Sequence, residues 1–169
     1  MTEPTPVHPA AVPADELFAQ CRVDRRRGSG PGGQHRNKTE TAIELVHPPT
    51  GVSASAGERR SQRENQRRAL FRLRLNLALQ VRRARSAGEA PSELWQRRRQ
   101  GRTLPVNARH DEFPALLAEA LDTIADRRLE VSAAARALGV STSQLIKLLK
   151  KHPPAFQQLN EQRAARGLV

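Results

Sequence analysis

The sequence predicts an α+β fold: a small mixed β-sheet packed on one long basic helix, followed by an all-helical C-terminal module. Three patterns carry this expectation. Thr41–His47 and Val52–Ala56 alternate apolar and polar residues at the period of a strand. Leu70, Leu73, Leu77 and Val81 recur by threes and fours, which makes one apolar stripe on a helix from about Glu58 to Arg85. Beyond Glu112 the helical period repeats in four short segments.

Taken in order, residues 1–14 hold four prolines and no Lys or Arg, and they read as a disordered leader. They lack the basic n-region and apolar core of a secretory signal, and they are not Arg-rich like a transit peptide, so a cytoplasmic protein is expected. A first domain spans 15–85. Ala19–Arg27 alternates loosely around Cys21 and Val23 and reads as a strand. Gly28 to Gly33 contains four glycines and a proline, a composition for a loop with unusual backbone angles. Thr41–His47 is the next strand, Pro48-Pro49-Thr50-Gly51 a turn, and Val52–Ala56 its hairpin partner. On the helix that follows, Arg59, Arg60, Arg63, Arg67, Arg68, Arg72, Arg74, Arg82 and Arg83 occupy the surface outside the stripe.

Residues 86–110 form a basic linker around a short helix at Ser92–Gln100, with Arg97, Arg98 and Arg99 on it. Residues 111–169 form the helical module, with helices expected at Glu112–Ala125, Val131–Leu138, Thr142–Lys151 and Pro154–Arg166. Ser132 and either Ser141 or Thr142 are the candidate N-caps, and Gly139 the turn.

Charge bounds the function. The chain carries 29 Lys and Arg against 17 Asp and Glu, a formal net of +12. Residues 1–21 have a net of −3, residues 22–109 a net of +14 and residues 110–169 a net of +1. A field of that size attracts polyanions, nucleic acid foremost, and it is concentrated before the helical module. Of the 21 cations in 22–109, all but Lys38 are arginine, the side chain suited to bidentate phosphate contacts and stacking on bases. Aromatic residues make up 3% of the chain, so the core must be built from Leu, Ala, Val and Ile. Cys21 is alone, which excludes an intramolecular disulfide and suggests no cysteine metal site. His35, His47, His110 and His152 have no metal-ligand spacing, and no apolar run is long enough to span a bilayer. No metal, organic cofactor or membrane is expected.

The chemistry centres on Gly30-Pro31-Gly32-Gly33-Gln34-His35-Arg36-Asn37-Lys38-Thr39. Gly-Gly-Gln alone is a weak signal. Here it is followed by a strand, by Pro49-Thr50-Gly51, and by Glu58-Arg59-Arg60-Ser61-Gln62 with Asn65 opening the basic helix. That ordered series, over residues 17–85, resembles the catalytic domain of bacterial class I peptide chain release factors and of the stand-alone ribosome-rescue hydrolases that share it. The resemblance implies hydrolysis of the peptidyl-tRNA ester at the peptidyl transferase centre of the large ribosomal subunit, with Gly32, Gly33 and Gln34 as the catalytic residues. The reaction passes through an oxyanion that needs placed donors. Glycines without Cβ atoms let the backbone enter a crowded RNA pocket, where the family analogy puts the Gln34 N–H on the oxyanion or the leaving hydroxyl. The Gln34 side chain then admits and orients water. His35 is assigned loop packing or RNA contact rather than base catalysis. Arg36 departs from the small apolar residue usual in the family at that position. Lys38, Arg59, Arg60, Gln62, Arg63 and Arg67, with Arg97, Arg98 and Arg99 of the linker, are the expected RNA contacts.

The length and the want of a tripeptide like the stop-codon readers lead to the expectation of codon-independent release, the rescue of stalled ribosomes. The alternative is a catalytically silent RNA-binding protein that uses the fold for docking. The module departs from the basic tail of the stand-alone hydrolases. Its segment Ala135–Ile146 resembles a helix-turn-helix, with Ala135 at the close contact, Gly139 at the turn and Leu145 inside. A plain helical hairpin fits the same residues. As a helix-turn-helix it would turn Ser141, Thr142, Ser143, Gln144 and Lys147 to nucleic acid or dock a recruiting protein. A DNA-binding regulator is the third reading, and the near-zero charge of 110–169 argues against it.

Overall fold

A computed structural model describes residues 5–26 and 41–168. The chain divides into two compact units, one of Pro9–Val81 and the other of Arg82–Val169 with Met1–His8.

In the first unit a 3-10 turn, Pro9–Ala11, precedes helix α1 (Ala14–Gln20) and strands β1 (Arg22–Arg26), β2 (Ala42–His47) and β3 (Val52–Ala56), and helix α2 (Gln62–Gln80) closes it. Within the proline-rich leader, Ala10 is fully buried and its carbonyl accepts the Arg74 Nε–H at 3.3 Å. The strand expected from Ala19 is part helix. Asp15 and Glu16 favour the positive first turn of α1, and Leu17 buries against the core, so the chain becomes extended only at Arg22.

The sheet has the order β1-β2-β3, and among the described residues both pairings are antiparallel, where a mixed sheet was expected. Consecutive strands joined by a turn as short as Pro48–Gly51 can pair only that way. Arg26 pairs with Ala42, and His47 with Val52. The turn holds because Gly51 adopts φ +73° and the His47 carbonyl accepts the Gly51 N–H at 2.8 Å. On β2, Ile43 and Leu45 face the core, as the alternation predicts.

Helix α2 is shorter than the Glu58–Arg85 span. The Ser61 hydroxyl caps it by accepting the Glu64 N–H, and Val81 is extended. Its packed face is also rotated from the expected stripe. Leu73 and Leu77 are fully buried with Ala69, Ala78 and Asn65, Arg74 is buried beside them, and Leu70 and Val81 are half-buried. The alanines let the helix approach the sheet closely. Arg74, read from the sequence as a surface cation, is buried because its guanidinium ties down the Ala10 carbonyl. Side chains of α2 also cover the β3 edge: Arg72 donates to Ser55 O at 2.9 Å and Asn76 to Ser53 O at 2.9 Å.

The second unit is helical: α3 (Glu93–Arg98), α4 (Phe113–Asp126), α5 (Val131–Leu138), α6 (Thr142–Lys150) and α7 (Pro153–Ala165). Its core is Trp95 with Phe113, Leu116, Leu117, Ile124, Leu138 and Leu145, all at most 1% exposed. Trp95 donates its indole N–H to Leu138 O at 2.9 Å, so the linker helix is part of this unit's core. Helix α5 is capped by Glu130, with no side-chain cap bond, and not by Ser132. Arg128 and Leu129, at φ 55° and 66°, turn the chain sharply enough that the helix has begun by Val131. Gly139, at φ 70°, ends α5 in the left-handed conformation, and Ser141 caps α6 by accepting the Gln144 N–H at 3.2 Å.

Candidate functional site

The candidate segment joins β1 to β2. The Arg26–Ala42 pair is the last rung of the β1–β2 ladder, so the segment between them leaves and re-enters the sheet at that rung. Gly32, Gly33, Gln34, His35, Arg36 and Lys38 lie on that segment, outside the described residues.

What the structure does give is the anchor on which the segment ends. Asn65, in the first turn of α2, is fully buried. Its amide donates to Thr41 O at 2.7 Å and to Arg59 O at 2.8 Å, and its carbonyl accepts the Arg59 N–H at 3.0 Å. One side chain thus spends three hydrogen bonds joining the start of β2 to the turn that bears Arg59 and Arg60. An apolar residue there would leave those backbone groups without partners. This positioning role escaped the sequence reading, although a signal existed. Asn65, Ala69, Leu73 and Leu77 recur by four, which sets a polar residue on the buried face.

Of the expected RNA contacts, Arg59, Arg60, Gln62, Arg63 and Arg67 come together on the turn and first two turns of α2, all exposed. The side chains of Arg59, Arg60, Arg63 and Arg67 have no hydrogen-bond or ion-pair partner among the described residues. They are cations with their bonding capacity unspent. Farther along α2, Arg72 is paired with Glu58, and Arg68 lies 3.7 Å from the same carboxylate. The hydrogen bond from Arg72 lowers the Glu58 carboxyl to about 2, so this acid remains ionised and holds its arginines in place.

Arg97, Arg98 and Arg99 belong to the other unit. Arg98 Nε donates to Glu112 at 2.6 Å, and Arg97 reaches the same carboxylate at 3.3 Å. The Glu112 carboxyl is lowered below its usual range by these bonds, the Arg98 one first. Arg99 is exposed and lies over Gly139, whose missing Cβ would sit 3.3 Å from Arg99 Nε. In the α5–turn–α6 segment Thr142, Ser143 and Lys147 are exposed, while Ser141 and Gln144 are half-buried. The Arg102 carbonyl accepts the Ser141 N–H at 3.0 Å.

Among the described residues no group of three or more His, Cys, Asp or Glu is placed to hold a metal ion, and no helix is long and apolar enough to cross a membrane. The Cys21 thiol donates to Leu17 O at 3.2 Å, and burial raises its pKa.

The sequence that carries this hairpin and the Asn65 anchor matches a known family. The family model of the RF-1 domain covers residues 16–114, and the chain belongs to that family of peptide chain release factors. Among curated relatives it is 47% identical over 72 residues to peptide chain release factor 1 of Acidiphilium cryptum, covering 43% of this chain and 20% of that protein. It is 44% identical over 90 residues to peptide chain release factor 1 of Verminephrobacter eiseniae, covering 53% of this chain and 24% of the relative. With peptide chain release factor 2 of Paramagnetospirillum magneticum it shares 46% identity over 59 residues, covering 35% and 16% respectively. The chain therefore spans a quarter or less of the length of these relatives. The family match ends at Pro114, the second residue of α4, and leaves most of α4 and all of α5–α7 outside it.

Proposed function

We propose that this protein hydrolyses the ester bond of peptidyl-tRNA on the ribosome without reading a codon, in rescue of stalled complexes. The observation that carries the reading is the family match over residues 16–114, which encloses Gly32-Gly33-Gln34. It is supported by the Asn65 clamp, which ties Thr41 to the turn of Arg59, next to arginines that have no side-chain partner among the described residues.

In this reading, water attacks the ester carbonyl carbon, and the bond to the terminal ribose oxygen of the tRNA breaks. The peptide leaves as a carboxylic acid, and the second proton of water ends on the ribose hydroxyl. The Gln34 N–H donates to the developing oxyanion or to the leaving oxygen, and its side chain orients the water and excludes larger nucleophiles. Gly32 and Gly33 give the backbone room to come close. Lys38, Arg59, Arg60, Gln62, Arg63 and Arg67 hold RNA phosphates. The remaining polar groups come from ribosomal and transfer RNA, so the reaction is confined to the ribosome, in the cytoplasm. The α5–turn–α6 segment recruits the chain to its target through nucleic acid or a protein. The competing reading is a silent RNA-binding protein that docks by the same surface.

The test is release of labelled peptide from ribosomes carrying peptidyl-tRNA and an mRNA truncated at the P site. Wild type is expected to release peptide. Gly33→Ala, which moves the Gln34 N–H out of place, should fall by at least about a hundredfold, the scale of losing one oxyanion donor. Gln34→Ala, which keeps that N–H and loses only the water-orienting side chain, should fall by less. Equal background release by all three would favour the silent reading. Release only with a stop codon in the A site would refute codon independence.

A further inference from the structure

In the first unit, α1 and α2 leave a half-open pocket of about 450 Å³ between them. Phe18 and Leu70 are its half-buried apolar floor, and Asp15, Arg63, Gln66 and Arg67 line its rim. The residues share faces by helical spacing: Asp15 and Phe18 are three apart on α1, and Arg63, Gln66, Arg67 and Leu70 run i, i+3, i+4, i+7 on α2. Leu17, fully buried, fastens α1 to the core and leaves the neighbouring Phe18 at the pocket. None of the four polar side chains has a hydrogen-bond or ion-pair partner among the described residues. Asp15, Arg63 and Arg67 are exposed and Gln66 is half-buried, so all four can reach a group seated on Phe18.

We infer that this pocket takes one unpaired nucleotide of RNA, its base stacked on Phe18 and its phosphate held by Arg63 and Arg67. The volume falls in the range of pockets that enclose a small ligand. Bases that leave a helix are bound by stacking on aromatic rings and by bonds to their exposed edges. Asp15 accepts from a base edge that donates, such as that of guanine, and Gln66 can donate or accept. Acidic side chains of a peptide would find the two arginines, but they offer no flat group for Phe18. Arg59 and Arg60, on the turn leading into the same helix, extend the cationic track for the adjoining phosphates. The inference rests on the RNA-facing reading of α2 proposed above, and it adds a subsite away from Gly32-Gly33-Gln34.

The experiment uses the full chain and two short RNA hairpins with the same tightly stacked loop, one with a single bulged guanosine in its stem and one with a fully paired stem, compared by fluorescence anisotropy. Wild type is expected to bind the first about tenfold more tightly, the size of one base–aromatic stack. Phe18→Leu keeps the floor apolar and should abolish the preference while leaving affinity for the paired hairpin unchanged. Phe18→Trp should keep it, and its fluorescence should fall on binding the unpaired guanosine, Trp95 being fully buried in the other unit. Equal wild-type affinity for the two hairpins would overturn the inference, as would a preference that survives Phe18→Leu. Peptide release serves as the separate control. Release without a preference defeats the pocket alone, and a preference without release defeats the hydrolase alone.

Discussion

Asn65 shows how one side chain can join two segments distant in sequence. Its three hydrogen bonds satisfy Thr41 O and both backbone groups of Arg59, and the first of these is wholly buried. Asn65→Ala should therefore cost about 2–4 kcal/mol in urea unfolding followed by circular dichroism, because it strands the buried Thr41 carbonyl and removes two further bonds to Arg59. A cost under about 1 kcal/mol would mean that water replaces the amide and that the clamp is not structural. Sequence alone exposed the candidate residue types, since glycine, glutamine and arginine in fixed order are visible in one dimension. It could not show which arginines are spent. Arg74 and Arg72 look like Arg63 and Arg67 in sequence, yet Arg74 is buried on the Ala10 carbonyl and Arg72 is bound to Glu58. The partners of Arg74 and Arg72 lie 64 and 14 residues away, beyond the reach of local pattern.

At the scale of elements, local signals that coincide with tertiary demand were legible. Val52–Ala56 and Val131–Leu138 have the bounds their patterns predict, and the short helix read at Ser92–Gln100 is centred on Glu93–Arg98 with Ser92 as its cap. Errors arose where burial overrode periodicity: at the end of α1, where Ala19 and Gln20 were read as the start of a strand, and along α2, whose buried face is not its leucine stripe. The Ser132 cap failed because the chain turns through Arg128 and Leu129, two residues in a region that glycine usually supplies. Leu129 is 5% exposed, so its burial offsets that strain. Arg128 is exposed and gains nothing comparable. Arg128→Gly should accordingly stabilise the second unit, by up to about 1 kcal/mol once the entropy of glycine in the unfolded chain is subtracted. Leu129→Gly should destabilise it by losing core contacts. Thermal unfolding monitored by Trp95 fluorescence reads both. A lower melting temperature for Arg128→Gly would show that the arginine side chain contributes more than its backbone costs.

At the scale of the molecule, the fold redistributes the charge. Counted along the sequence, the excess of cations ends before the helical module. Counted by folded unit, Pro9–Val81 carries 13 basic and 7 acidic residues, and the other unit 16 and 10, each a net of +6. The linker arginines fold with the helices, so near-neutrality no longer argues against nucleic acid at α6. Net charge cannot say which unit meets RNA, and the pairing of individual arginines must decide. Arg59 and Arg60 have no side-chain partners among the described residues, whereas Arg97 and Arg98 share Glu112, which leaves the trio with a net of only one positive charge. Binding that releases counterions weakens with salt in proportion to the phosphates neutralised. Ribosome association measured by pelleting over a potassium chloride series, at fixed magnesium, should thus separate the two pairs. Arg59→Gln/Arg60→Gln should flatten the log–log slope by roughly one for each arginine removed, about two in all. Arg97→Gln/Arg98→Gln should flatten it by less than about one, because Glu112 already neutralises half of that pair. Equal changes from the two double variants would show that Glu112 gives up its arginines on binding. The linker would then count among the RNA contacts on the same footing as α2.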